Sequence, residues 1–372
     1  MKVTSTTDLH EFILLSIFCF LPAKFIIRCR CVCKDWANLI CQPYFPLEYL
    51  TRGKAPLQLL LEKDTDVILV QLDESSFPAN SSIAIKSSFD LNIRRFFCSL
   101  PSSRLQIFTC QATGWILAVV DPYSCILREL HDAHLYNAIT GQHIVVQLNV
   151  DHERWQNCAL ILAQKTNQLK LLIFHRKRTT FAEAAIQTIG TNLWRSIGEV
   201  YDCKGMPIFL NGRCHWLNDR SKVIISFDAE EEAFQVIHMP VCSQNYKSFN
   251  LGSLEGCLCL ILITSSNALE CWVMNKYCIR DSWTKICVFS VSTGPVSYNW
   301  KQDSTKFLEP LTYLKGELLM LVGRTAHIEK GGEKYSTMIS YNPHSRKYRY
   351  VGFAILNEYL PMIGYDRLNL VM

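Results

Sequence analysis

Hydrophobic positions follow two different periods along the chain, and the change between them divides the sequence. Before Cys41, apolar side chains recur every three or four positions, as at Leu9, Ile13 and Ile17, which predicts an amphipathic helix. From Arg52 onward, short runs rich in Val, Ile, Leu, Tyr and Phe are separated by Gly, Asn, Asp, Ser and Pro, which predicts short strands joined by turns. We therefore expect a small helical region followed by a large, mainly β region.

The helical region is predicted to contain three helices. Asp8 and Glu11 have the spacing of a capping box, so the first helix is expected from about Leu9 to Cys19. Pro22 suits the first turn of a second helix, because its missing N–H would be unpaired there. A third helix is expected over about Arg30 to Cys41. Three short helices bury too little surface to be stable alone, so their surplus of apolar side chains indicates a partner or a neighbouring domain.

Three pieces of the β region repeat one form. They are LYNAITGQHIVVQL from Leu135, ISFDAEEEAFQVIHMP from Ile225 and ISYNPHSRKYRYVGF from Ile339. Each reads as a strand, an aromatic residue, Asn or Asp, a turn of about four residues and a second strand, which predicts a β-hairpin.

Two markers in the β region recur at nearly the same interval. Asn137 and Asp228 are 91 residues apart, and Trp194 and Trp283 are 89 residues apart. Half of this interval is about 45 residues, the size of one four-stranded propeller blade. We predict a β-propeller of six to eight blades after the helices, and a closed ring would also protect the strand edges. A large β-sandwich is the alternative.

Composition and charge exclude several classes of function. A net charge of +5, with basic residues spread along the chain, gives little support for nucleic-acid binding. The apolar run from Phe12 to Ala23 has 12 residues, against about 20 needed to span a bilayer. The 17 cysteines have irregular spacings, which favours reduced thiols in an intracellular protein. We therefore expect no membrane partner and no nucleic-acid partner.

Candidate catalytic and metal sites are sparse. Cys29, Cys31 and Cys33 do not share a helical face, since alternate residues are about 200° apart. Cys214 and His215 are adjacent in a predicted strand and point to opposite faces. No HExxH, CxxC, GxGxxG or Walker-type pattern occurs, so no cofactor is expected.

Three histidines and one basic run complete the survey of candidate chemistry. His131, His134 and His143 could approach a metal, although surface histidines are the better interpretation. The basic run from His175 to Arg178 is interpreted as a solvated loop. We therefore predict no catalytic residue and no metal ligand.

The segment LHEFILLSIFCFLPAKFIIRCRCVCKDWANLI, from Leu9 to Ile40, resembles an F-box. In that family the segment is a helical docking module for a Skp-type adaptor within a cullin-RING ubiquitin ligase. His10 and Phe12 stand where the family usually has proline and an acidic residue. The resemblance implies that ten residues contact the adaptor: Leu9, Ile13, Leu14, Ile17, Leu21, Pro22, Ile26, Val32, Trp36 and Leu39.

The β region is similar to the plant F-box-associated domain. Four landmarks follow in the family's order: MPIFLNGRCHWL from Met206, KVIISFDAEEEAFQVIHMP from Lys222, LGSLEGCLCLI from Leu251 and ECWVMNKYCIRDSWTKI from Glu270. In the first landmark, Asn211-Gly212 predicts a two-residue hairpin turn, and Trp216 is expected to anchor neighbouring blades. In the last landmark, Cys278 replaces the family's usual glycine.

Together the two resemblances imply an F-box over residues 1–45 and a substrate-recognition propeller over residues 52–372. We expect a non-catalytic receptor subunit of an SCF-type ubiquitin ligase, located in the cytoplasm, the nucleus or both. A binding scaffold or carbohydrate-related propeller without ligase function is the alternative. The target is unknown. Loops that could bind it are Asp73 to Asn80, Asp121 to Cys125, Asn218 to Lys222, Cys242 to Ser248 and Thr325 to Lys334.

Overall fold

The structure is a computed structural model. It describes residues 6–21, 23–42, 44–52, 58–63, 66–73, 82–90, 105–110, 115–120, 132–137, 139–148, 155–176, 181–218, 221–240, 246–266, 268–290, 306–324, 336–355, 358–360 and 367–370.

Four helices open the described chain. They are α1 Thr6–Cys19, α2 Ala23–Cys29, α3 Lys34–Ile40 and α4 Phe45–Arg52. The three predicted helices are confirmed, although α3 begins four residues later than expected because Cys33 caps it: its Sγ accepts a hydrogen bond from the Trp36 N–H at 3.5 Å. The fourth helix was not predicted. Its eight residues are too few to establish a period, although Pro46 suits a first helical turn.

The four helices share one small core. Phe18 lies at its centre, with its ring 4.9 Å from that of Trp36 in an edge-to-face contact and 6.5 Å from that of Phe45. Phe45 and Tyr49 come from α4, and the Tyr49 hydroxyl donates to the Leu21 carbonyl at 2.8 Å. The unpredicted helix therefore closes the core of the helical region.

The strands form six four-stranded units, numbered in chain order. Unit 1 contains β1 Gln58–Lys63, β2 Asp66–Asp73 and β3 Ser82–Asp90, completed by β25 Arg367–Leu370. Unit 2 is β4 Leu105–Cys110, β5 Trp115–Val120, β6 Asp132–Asn137 and β7 His143–Gln147. Unit 3 is β8 Trp155–Ala163, β9 Gln168–Arg176, β10 Phe181–Thr188 and β11 Trp194–Tyr201.

The chain continues through three further units of the same kind. Unit 4 is β12 Lys204–Leu210, β13 Arg213–Asn218, β14 Val223–Asp228 and β15 Ala233–His238. Unit 5 is β16 Tyr246–Leu254, β17 Cys257–Thr264, β18 Ala268–Met274 and β19 Trp283–Ser290, preceded by the 3-10 helix Arg280–Ser282. Unit 6 is β20 Lys306–Leu314, β21 Glu317–Arg324, β22 Ser336–Asn342 and β23 Lys347–Ile355, with β24 Glu358–Leu360 paired to β23.

Units 2 to 5 are separate sheets, whereas units 6 and 1 join into one nine-stranded sheet. Neighbours within every unit are antiparallel, and the join is a parallel pairing of β23 with β3. Strand β1 pairs with β25 from the far end of the chain. The arrangement is a mainly β, propeller-like domain behind N-terminal helices, as predicted.

The recurring markers occupy equivalent places in alternate units. Asn137, Asp228 and Asn342 end the third strands of units 2, 4 and 6, and Trp194 and Trp283 begin the outer strands of units 3 and 5. The indole N–H of each tryptophan donates to the last strand of the preceding unit, to Gln147 O at 3.3 Å and to His238 O at 3.0 Å. The interval of about 90 residues therefore spans two units, which confirms the predicted repeat of about 45 residues.

Packing between units uses the predicted tryptophan anchor. Trp216, 1% exposed, comes from unit 4 and meets Phe174 of unit 3 edge to face, with ring centroids 5.1 Å apart. The preceding hairpin turn has positive φ angles at Asn211 and Gly212, as expected for this dipeptide. Cys278 also has a positive φ, of 62°, so cysteine here holds the left-handed conformation that glycine adopts most easily.

Candidate functional site

One surface of the helical region is strongly apolar. Ile13 and Ile17 of α1 are 50% and 52% exposed, and Phe20, at the end of α1, is 73% exposed. Phe25 of α2 and Val32, between α2 and α3, are exposed as well. Isolated exposed apolar residues are common, but several on one small module are typical of an interaction site.

The ten residues predicted to contact the adaptor fall into four groups. Ile13, Ile17 and Val32 are exposed, and Leu14, Leu21 and Trp36 are half-buried at the edge of the helical core. Ile26 and Leu39 are buried in that core, so their first role is to hold the helices together. The remaining two are Leu9, whose side chain is not described, and Pro22, which lies outside the described residues. Adaptor contact stays a prediction for all ten.

Phe12 has a structural partner in the unpredicted helix. The guanidinium of Arg52 lies 5.1 Å from the centre of the Phe12 ring, a cation–π contact. Arg52 also pairs with Glu48 at 2.5 Å. Phe12 therefore links α1 to α4, while His10 is exposed. The exposed Phe20 and Phe25 were missed in the sequence, although both lie within the apolar pattern.

A turn of the propeller contacts the helices directly. Ile139, between β6 and β7, is fully buried in the helical core. The Arg30 guanidinium donates to the Thr140 carbonyl at 2.5 Å, and the Gln142 side chain donates to the Cys41 carbonyl at 3.1 Å. The surface on the helices is therefore carried by a unit that is bonded to the propeller.

His215 is a buried structural residue. Its Nδ1 faces the Ile208 carbonyl at 3.1 Å, so Nδ1 carries the proton and Nε2 accepts from the Tyr277 hydroxyl at 2.7 Å. The Tyr277 oxygen lies 3.0 Å from Ser226 Oγ. Burial lowers the pKa of His215 to about 4 and raises that of Tyr277 to about 12. Cys214 packs instead in the core shared by units 3 and 4, which confirms that these neighbours face opposite ways.

The depressed pKa of His215 predicts a loss of stability in acid. The unfolded histidine binds a proton below its ordinary pKa of about 6.5, whereas the folded one stays neutral until about pH 4. Stability from this group is present above pH 6.5 and falls by about 2 kcal/mol on going to pH 5. Denaturant unfolding at the two pH values measures it. A His215→Asn variant should lose this part of the pH dependence, and an unchanged dependence would contradict the assignment.

The other candidate chemistry does not form a site. His134 Nδ1 and His143 Nε2 are 3.0 Å apart on neighbouring strands, while His131 lies outside the described residues. The described part of the chain contains no group of three or more His, Cys, Asp or Glu side chains that could hold a metal. Burial raises the pKa of the Cys19 thiol to about 11, which keeps it protonated and unreactive.

Two further observations concern the surroundings of the site. Most residues of the five candidate target-binding loops lie outside the described ranges. Within the described helices, none is both long enough and apolar enough to cross a bilayer.

Comparisons with known proteins support both halves of the chain. The F-box domain family matches residues 7–48, and the F-box associated beta propeller domain family matches residues 123–310. F-box protein CPR1 of Arabidopsis thaliana is 25% identical over 82% of this chain and 77% of its own length. F-box protein DOR of the same plant is 27% identical over 76% of this chain and 78% of its own length.

A solved chain from a nidogen/laminin complex matches 85% of this chain and 98% of its own length, with a TM-score of 0.44 at 9% identity. This likeness is too low to support an argument about function. The propeller family, by contrast, covers half of the chain, and the F-box family covers the helices in front of it. The chain therefore belongs to the plant F-box proteins that carry an F-box associated β-propeller domain.

Proposed function

We propose that the protein is a substrate-recognition subunit of an SCF-type ubiquitin ligase. Its helices would bind a Skp-type adaptor through the apolar surface around Ile13 and Ile17, and its propeller would bind the protein to be ubiquitinated. The observation that carries this proposal is the exposure of that apolar surface on a module bonded to the propeller. F-box proteins are generally non-catalytic subunits, and the family membership gives this chain the same general role.

The proposed contribution to ubiquitination is proximity. A target held beside a charged ubiquitin carrier meets it at the high effective concentration of a tethered reaction, without chemistry by the receptor. The proposed compartment is the cytoplasm, the nucleus or both, in keeping with 17 irregularly spaced cysteines.

Replacing both Ile13 and Ile17 with aspartate should weaken adaptor binding by about 30-fold or more. Central apolar anchors of an interface typically contribute about 2 kcal/mol or more each, and 1.4 kcal/mol corresponds to a factor of ten. Both side chains are half exposed in the free protein, so the change should leave the helical core intact. Titration of a purified Skp-type adaptor against the full chain measures the effect.

The matched control is Leu193→Asp, which introduces the same charge at an apolar propeller residue that is 74% exposed. It should bind the adaptor as the unaltered chain does. If the unaltered chain and the double variant bind equally poorly, the ligase proposal fails. The chain would then be better described as a binding scaffold, in which His10 and Phe12 mark an altered first helix.

A further inference from the structure

One turn geometry occurs three times in the propeller. Asn137, Asp228 and Asn342 each accept hydrogen bonds through a side-chain oxygen from the backbone N–H groups two and three residues later. The fourth residue after each has a positive φ: 68° at Gly141, 50° at Glu232 and 55° at Arg346. The three turns are internal copies, so differences between them report differences in surroundings.

The copy in unit 2 differs from the other two in its chemistry. Ile139 occupies the position of Glu230 in unit 4 and His344 in unit 6. It is 0% exposed, whereas His344 is exposed and Glu230 is half-buried. The Ile139 side chain packs in the helical core with Phe18. An apolar residue at this place is explained by the helices, because the turn itself forms equally well with charged residues.

Gly141 leads to the same conclusion independently. A positive φ favours glycine, but Glu232 and Arg346 show that this turn accepts other residues. A Cβ at position 141 would lie 3.2 Å from Nη1 of Arg30 and 3.5 Å from Ile27 Cγ1. Arg30 is the residue that donates to the Thr140 carbonyl. Glycine therefore provides the space in which α2 and the residue after it approach the turn.

We propose that the turn Ile139–Gln142 is a positioning element for adaptor binding, even though it belongs to the propeller. Ile139 completes the core beneath the adaptor surface, and Arg30 and Gln142 hold the turn against it. The inference rests on the proposed function. Because coupling between sites is reciprocal, adaptor binding should in turn stabilise the turn in unit 2.

The test grafts the unit 6 turn onto unit 2 through Ile139→His, Thr140→Ser and Gly141→Arg. The graft keeps Asn137 and the turn geometry but removes the packing against the helices. We expect faster amide hydrogen exchange in residues 23–41 with unchanged exchange in units 4 and 5. Adaptor binding should weaken by about tenfold or more, since a module of this size is marginal alone and apparent affinity scales with its folded fraction.

The matched control is the reverse graft in unit 6, His344→Ile, Ser345→Thr and Arg346→Gly, whose turn is exposed. A milder pair is Gly141→Ala against Gly256→Ala. Both glycines have positive φ, but a Cβ at 256 would meet nothing within 4 Å. Only Gly141→Ala should raise exchange in residues 23–41 and weaken adaptor binding.

The outcomes separate the two proposals. If both unit 2 variants match their controls in exchange and in adaptor affinity, the positioning role is overturned. If the unaltered chain binds no adaptor, the proposed function fails. In that case the exchange of residues 23–41 alone decides whether the turn supports the helices.

Discussion

Replacing Trp216 with alanine is expected to lower the free energy of unfolding by about 3–5 kcal/mol, the usual cost of removing a large buried aromatic side chain. The indole is 1% exposed and fills the space between units 3 and 4. Its loss removes apolar burial and leaves a cavity that two separate sheets cannot easily close. Guanidinium denaturation, with the midpoint and slope fitted together, measures the change.

The partner ring allows a sharper version of this experiment. Trp216 meets Phe174 edge to face, and such pairs contribute about 0.5–1.5 kcal/mol beyond their burial. A double-mutant cycle with Phe174→Ala should therefore show coupling of that size. Leu193→Ala, at an exposed propeller residue, serves as the control and should cost little. A Trp216→Ala variant as stable as this control would show that Trp216 does not anchor the two units.

Replacing Glu232 with alanine is expected to cost about 3 kcal/mol or more, because it removes the partner of a buried charge. Lys170 of unit 3 lies 2.8 Å from Glu232 of unit 4, with its side chain only 6% exposed. Its ammonium also donates to the Ala229 carbonyl at 2.6 Å, and Arg195 pairs with the same carboxylate. Burial lowers the pKa of Lys170, as expected for an ammonium held away from water.

The control for the second prediction is an ion pair within one unit. Lys285 and Glu270 of unit 5 are 2.7 Å apart, but the lysine is 37% exposed, and exposed pairs contribute about 1 kcal/mol at most. Lys285→Met should therefore have a small effect. Combining Glu232→Ala with Lys170→Met should recover much of the lost stability, because no buried charge remains. If Glu232→Ala costs no more than Lys285→Met, the pair is not an important contact between units.

Local sequence was sufficient for much of the fold. Asn211-Gly212 predicted a hairpin, and both residues have the positive φ angles that such a turn requires. The paired intervals predicted the repeat, because each marker performs the same local task wherever it occurs: Asn137 and Asp228 accept hydrogen bonds from their own turns. Such interactions span a few residues and can be read directly from sequence.

Contacts between distant residues could not be predicted in this way. Apolar spacing identified both Ile13 and Ile26 as candidates for adaptor contact, but period alone does not tell which residues face the core. Ile26 proved buried and Ile13 half exposed. The joint between Arg30 and Thr140 connects residues 110 positions apart. Ile139 reads as an ordinary turn residue until its place against the helices is known.

The alternation of markers has a consequence for how this protein can change in length. Units 2, 4 and 6 carry the Asn or Asp turn, whereas units 3 and 5 carry the tryptophan that donates to the unit before it. A deletion of one unit would place two sheets of the same kind side by side and leave one such contact without its partner. A duplication or deletion of about 90 residues keeps every neighbour matched. The heritable building block of this propeller is therefore a pair of blades.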